Sequence, residues 1–152
     1  MPTALDKIVE ELREADRQER VELLIDLAKS LPPLPERLAQ FKDEAHRVPE
    51  CQAPVFLFIE LEGDQVDFHA DAPIEAPTVR GFVAMLVEGL DGATVAEVLA
   101  VPNDLIERAG MREILGMQRM SGLHGVLRRL KAMVARAAAA QAAPSPNGVP
   151  SH

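Results

Sequence analysis

The sequence predicts an α+β fold: two N-terminal helices, a small antiparallel sheet of about three strands, and C-terminal helices packed on it. Three observations predict it. Apolar residues recur at helical spacing near both ends of the chain. A short pair of β-rich runs flanks a Glu62-Gly63-Asp64-Gln65 turn in the middle. Helices and strands come in separate blocks, where an α/β protein would alternate them.

Leu5, Ile8, Val9 and Leu12 set a helix over residues 4–14, and Val21, Leu24, Ile25 and Ala28 a second over 17–30. Leu31-Pro32-Pro33-Leu34-Pro35 ends the second, because proline supplies no amide hydrogen and clashes inside a helix. The stretch to Glu50 is polar and carries no periodic pattern. Residues 55–61 and 66–70 read as the two arms of a hairpin, with a third strand expected from residues 45–49. From Thr78 the period changes, and Val79, Phe82, Val83, Leu86, Val87 and Leu90 predict an apolar helix that stops near Asp91-Gly92. Thr94 and Glu97 have capping-box spacing and open a short helix to about Ala100. Asn103 is the expected cap of another, closed at Gly110. Leu123, Val126, Leu127, Leu130, Met133 and Val134 form the stripe of a last helix. One domain over residues 1–136 is expected. Residues 137–152, Ala-rich and then rich in Pro, Ser, Asn and Gly, are expected to be a disordered tail.

With 152 residues the chain is one domain's length, and 47% hydrophobic with 26% charged residues is an ordinary globular composition. The net charge of −8 repels phosphate backbones, and without Trp or Tyr only five Phe remain to stack on bases. Nucleic-acid binding is disfavoured on both grounds. The longest apolar stretches, residues 53–59 and 82–87, are far short of the roughly 18 needed to span a bilayer. No membrane partner is expected, and the cytoplasm is the expected location. Charge is uneven: residues 1–50 carry −4, 51–104 carry −9, and 105–152 carry +5. Such polarity either orients a partner or is compensated within the fold.

The sequence lacks a Gly-rich nucleotide loop, GxSxG and HExxH. His46, His69, His124 and His152 are scattered without metal-ligand spacing, and one cysteine permits no multi-cysteine metal site. Neither a metal nor a cofactor is expected. Cys51 stands apart. It lies in Val48-Pro49-Glu50-Cys51-Gln52-Ala53-Pro54-Val55, where two prolines pre-shape a short segment just before the first strand. Cysteine is also among the most buried residue types, so packing alone accounts for one. The adjacent Glu50 carboxylate disfavours a second negative charge, which predicts a thiol that is quiet until a partner activates it. Two other readings stay open: a Cys51–His46 dyad acting on a small substrate, or an interaction module in which Cys51 is inert.

Several blocks of the chain, taken together, resemble the SufE family of sulfur-acceptor proteins in iron–sulfur cluster assembly. They are Arg20, Leu24 and Ile25; Lys29 with Leu31-Pro32-Pro33-Leu34-Pro35; Val48 to Phe56 around Cys51-Gln52; Ala70-Asp71 with Thr78-Val79-Arg80-Gly81-Phe82; and Leu115-Gly116-Met117-Gln118-Arg119-Met120-Ser121-Gly122-Leu123. Glu50 stands where the family motif has glycine, Ala53 where it has serine, and Phe56 where it has tryptophan. Between Asp71 and Thr78 the chain is a few residues longer than the pattern.

The resemblance implies a SufE/NifU-like fold and a sulfur relay without independent turnover. Cys51 would take the sulfane sulfur from the persulfide of a SufS-like cysteine desulfurase, stimulating that enzyme, and pass it to a scaffold such as SufB or SufBCD. Pyridoxal phosphate would belong to the desulfurase. Pro49, Glu50, Gln52 and Ala53 would surround the acceptor thiol at the partner interface. Asp71 and Arg119 join them by resemblance alone, with Arg119 expected just before the final helix.

Overall fold

The computed structural model describes residues 3–142. Helix α1 (Ala4–Glu14) and helix α2 (Arg17–Ser30) form the N-terminal pair, followed by a single turn, α3 (Glu36–Ala39). Strands β1 (Phe56–Glu62) and β2 (Gln65–Asp71) come next. Helices α4 (Pro77–Leu90), α5 (Val95–Leu99) and α6 (Leu105–Arg108), a 3-10 turn at Met111–Glu113, and the long α7 (Met117–Ala142) complete the order. The α+β class follows the sequence reading.

Helix α4 is the hub. Ten of its fourteen residues are buried, so it is apolar on nearly every side, as an enclosed helix must be. Helix α2 crosses it so closely that a Cβ on Gly81 would sit 2.2 Å from the carbonyl oxygen of Leu24. Only glycine permits that approach. Val66, Phe68 and Ala70 of β2 alternate inward onto the same core. The hairpin pairs Phe56 with Asp71 through to Glu62 with Gln65, and Gly63 takes the positive φ that its tight turn requires.

The expected capping box on α5 is present: Thr94 Oγ1 accepts from the Glu97 amide at 3.1 Å, and the Glu97 carboxylate accepts from the Thr94 amide at 3.0 Å. Thr3–Asp6 and Asp16–Glu19 open α1 and α2 in the same way. Other expectations need correction. The third strand is absent among the described residues: residues 45–49 make one bridge, Arg47 to Phe56, beside a two-stranded sheet. The Val48 carbonyl accepts from the Cys51 amide and the His46 amide donates to the Asp43 carbonyl, so two turns take the groups that would extend the bridge at either end. Asn103 does not cap α6; Asp104 precedes that helix without a side-chain cap, and Asn103 Oδ1 accepts from Lys131 Nζ at 2.9 Å instead. The expected tail begins too early, since α7 continues to Ala142 through an alanine run that favours helix. The remainder of that segment lies outside the described residues.

Candidate functional site

The Cys51 segment is a short loop with pinned ends. The amide of Val48 donates to the carbonyl of Val55 at 2.9 Å, and both valines are fully buried. Within that closure the Cys51 amide donates to the Val48 carbonyl at 3.3 Å. Pro49, Glu50, Gln52 and Pro54 are exposed and Ala53 is half-buried, but Cys51 itself is only 6% exposed. The segment thus turns its cysteine inward while its neighbours face solvent.

Cys51 lines a cleft of about 70 Å³ beside the starts of α4 and α7. Ala53, Ala76, Val79 and Gly122 supply its apolar walls, while Gln52, Gln118 and Arg119 supply the polar ones. Ligand pockets for small molecules run about 300–1,000 Å³, so this cleft suits an added atom or two rather than a substrate. Burial pushes the Cys51 thiol above its ordinary range. The backbone amide of Ala53 and the guanidinium groups of Arg119 and Arg47 pull the other way, and Glu50 adds a smaller upward push. The quiet thiol expected from Glu50 is therefore quiet mainly because it is dry.

Arg119 lies inside the first turn of α7, not before it. Its side chain is exposed and donates to Thr78 Oγ1 at 3.3 Å. Asp71 is not among the cleft walls; its carboxylate accepts from Lys42 Nζ at 2.8 Å and lies 3.7 Å from Arg80. His46 Nδ1 is 2.8 Å from Asp43, and its ring stacks on Phe58 at 4.5 Å, so the imidazole is committed away from a dyad. Sequence reasoning missed Arg47, Thr78, Gly125 and Arg128. Arg47 favours the thiolate, Thr78 accepts from Arg119, and the last two meet Glu50. Among the described residues no group of three His, Cys, Asp or Glu side chains is placed to hold a metal ion, and no helix is long and apolar enough to cross a membrane.

The family model described as SufE, Fe-S metabolism associated domain, matches residues 6–134. The chain belongs to the SufE family. A SufE-like protein of Mycobacterium tuberculosis is 38% identical over 132 residues, covering 86% of this chain and 91% of that one. The sulfur acceptor protein CsdE of Escherichia coli is 32% identical over 111 residues, 72% of each chain. A solution structure of a hypothetical protein from Thermus thermophilus superposes with a TM-score of 0.77 at 34% identity, covering 91% of this chain and 98% of that one. Cys51 and Arg119 both lie within the residues that the SufE model matches.

The thiol's surroundings give a pH prediction. Since Cys51 is harder to ionise than a free thiol, the midpoint of its alkylation rate against pH should lie above about 8.5, where an ordinary cysteine is half ionised. Arg119→Gln removes a charge that favours the thiolate, so it should move this profile further up and slow alkylation near neutral pH. Its one exposed hydrogen bond implies a Tm change below about 3 °C. A loss of many degrees with an unmoved profile would make Arg119 an intramolecular anchor instead.

Proposed function

We propose that this SufE-family protein is a sulfur acceptor and that Cys51 carries the sulfur. The Cys51 sulfur attacks the outer, sulfane sulfur of a persulfide held by a cysteine desulfurase. One S–S bond breaks as another forms: donor–S–SH and Cys51–SH become donor–SH and Cys51–S–SH, with no net oxidation and no proton lost from the pair. Pyridoxal phosphate stays with the desulfurase, which generates the persulfide from L-cysteine. Relieved of its sulfur, that enzyme turns over faster, and the sulfur passes on to a thiol of an iron–sulfur scaffold such as SufB in SufBCD.

The observation that carries this reading is a motif cysteine whose cleft is too small for a small-molecule substrate. The name of the Escherichia coli relative, a sulfur acceptor protein, supports the same assignment. Apolar walls around the terminal sulfur would keep water and stray thiols from a bond that exchanges wherever access allows. Adding the protein to a cysteine desulfurase and L-cysteine should accelerate alanine formation in proportion to its concentration until saturation. An unchanged rate with each desulfurase of the source cell would contradict the reading.

A further inference from the structure

Glu50, the residue before Cys51, lies across α7. A Cβ on Gly125 would come within 2.5 Å of Glu50 Cβ, 2.9 Å of its Cγ and 3.0 Å of its Cδ. The Glu50 carboxylate reaches on to Arg128 at 3.5 Å. About one turn earlier, a Cβ on Gly122 would meet Cys51 Cα at 3.3 Å and Sγ at 3.5 Å. Residues three apart share a helix face. Under two consecutive loop residues, then, α7 is pared to its backbone, and a charged side chain just beyond holds the first of them.

The hold is specific to the segment over the sulfur. Its ends are fixed by the Val48–Val55 backbone bond, so residues 49–54 can leave α7 without disturbing β1. With Cys51 only 6% exposed at the back of a narrow cleft, the thiol is shielded from an atom carried by another protein while the segment is seated. We propose that Glu50 is a positioning residue, latching the Cys51 segment to α7 through Gly125 and Arg128 and so setting how often the thiol is open to a partner. The use of the latch rests on the sulfur-acceptor reading; the latch itself is a property of the free protein. The motif glycine would place no side chain on α7 at this position, so the device comes with the chain's own departure from the family pattern.

The test is the alkylation rate of Cys51 by iodoacetamide in the full chain without any desulfurase, compared at equal thiolate fraction. Arg128→Gln should speed it about 2–5-fold at low salt, the range for losing an exposed ion pair, and the gain should vanish near 1 M salt. Gly125→Ala should speed it at least tenfold, since the new Cβ meets the Glu50 stem close to the loop backbone, which must then move. Glu50→Gly should also speed it, and Gly125→Ala added to Glu50→Gly should have almost no further effect, a non-additivity that marks direct contact. Tm should stay within a few degrees throughout. Unchanged rates in Gly125→Ala and Arg128→Gln would overturn the latch. So would rates that rise only as Tm falls, or full additivity of Gly125→Ala with Glu50→Gly. A protein that accepts no sulfur can still pass this test, and a true acceptor can fail it, so the two readings are judged separately.

Discussion

Cys51→Ser should abolish desulfurase stimulation, taking alanine formation back to the rate of the desulfurase alone. A hydroxyl in place of the thiol has no capacity to accept sulfane sulfur, whatever the docking. The fold should survive the change. Cys51 is buried, but it sits on a loop whose closure is made by Val48 and Val55, not by the cysteine side chain. Placing a hydroxyl there should cost about 1–2 kcal/mol, and a thermal melt alongside the assay checks that the loss is chemical. Stimulation at the wild-type level in Cys51→Ser would end the relay mechanism. Cys51→Ala separates the two effects further, since it adds no polar group to the cleft and should be equally inactive.

Arg20→Met should produce a large loss of stability from a change outside the cleft. Arg20 is the buried charged side chain of the fold among the described residues, 4% exposed. Its guanidinium donates to the carbonyls of Leu12 at 2.8 Å, Ala15 at 2.8 Å and Arg13 at 3.3 Å. Those carbonyls lie at the end of α1, where a helix has no internal donors left and carries partial negative charge. The same group reaches Gly110 at 3.2 Å and Glu113 at 2.8 Å, joining α1 and α2 to the turn before α7. Methionine keeps much of the length and none of the donors, leaving the buried Leu12 carbonyl and its part-buried neighbours unpaired. A cost of about 3 kcal/mol follows, which for a chain this size lowers Tm by roughly 10 °C. Arg20→Lys should recover only a part, because an ammonium cannot serve carbonyls on several sides at once. A fall of under about 2 °C in Arg20→Met would show that the network adds little.

Most helices and both strands were legible because their apolar periods are long and their stops are chemical: prolines after α2, glycine in the hairpin turn, a capping box before α5. What failed was short or competed for. Helix α3 is four residues without a period, so no pattern marks it. The third strand fails because turns at both ends take the Val48 carbonyl and the His46 amide, and Asn103 is drawn off its expected cap by Lys131, a partner 28 residues away. The alanine run after Arg136 looked like the start of a tail, yet alanine is the best helix former and continues α7.

The site was legible at its centre and hidden at its edges. Motif order brought out Cys51 and Arg119, which do line one cleft. It also suggested Asp71, whose carboxylate is occupied by Lys42 and Arg80 away from that cleft. Glu50 and Arg128 are 78 residues apart, and Arg119 and Thr78 are 41 apart, so no local spacing announces either contact. Burial governs the thiol for a similar reason. The walls come from β1's leading loop and from α4 and α7, and only their packing shows how dry the sulfur is.

The most direct measurement is the mass of the Cys51 peptide after the protein has been mixed with a cysteine desulfurase and L-cysteine, without reductant. A gain of about 32 Da, one sulfur atom, confined to that peptide and removed by a reducing thiol, is the predicted result. Wild-type protein that stimulates the desulfurase while its Cys51 peptide stays at the unmodified mass throughout the reaction would contradict the account.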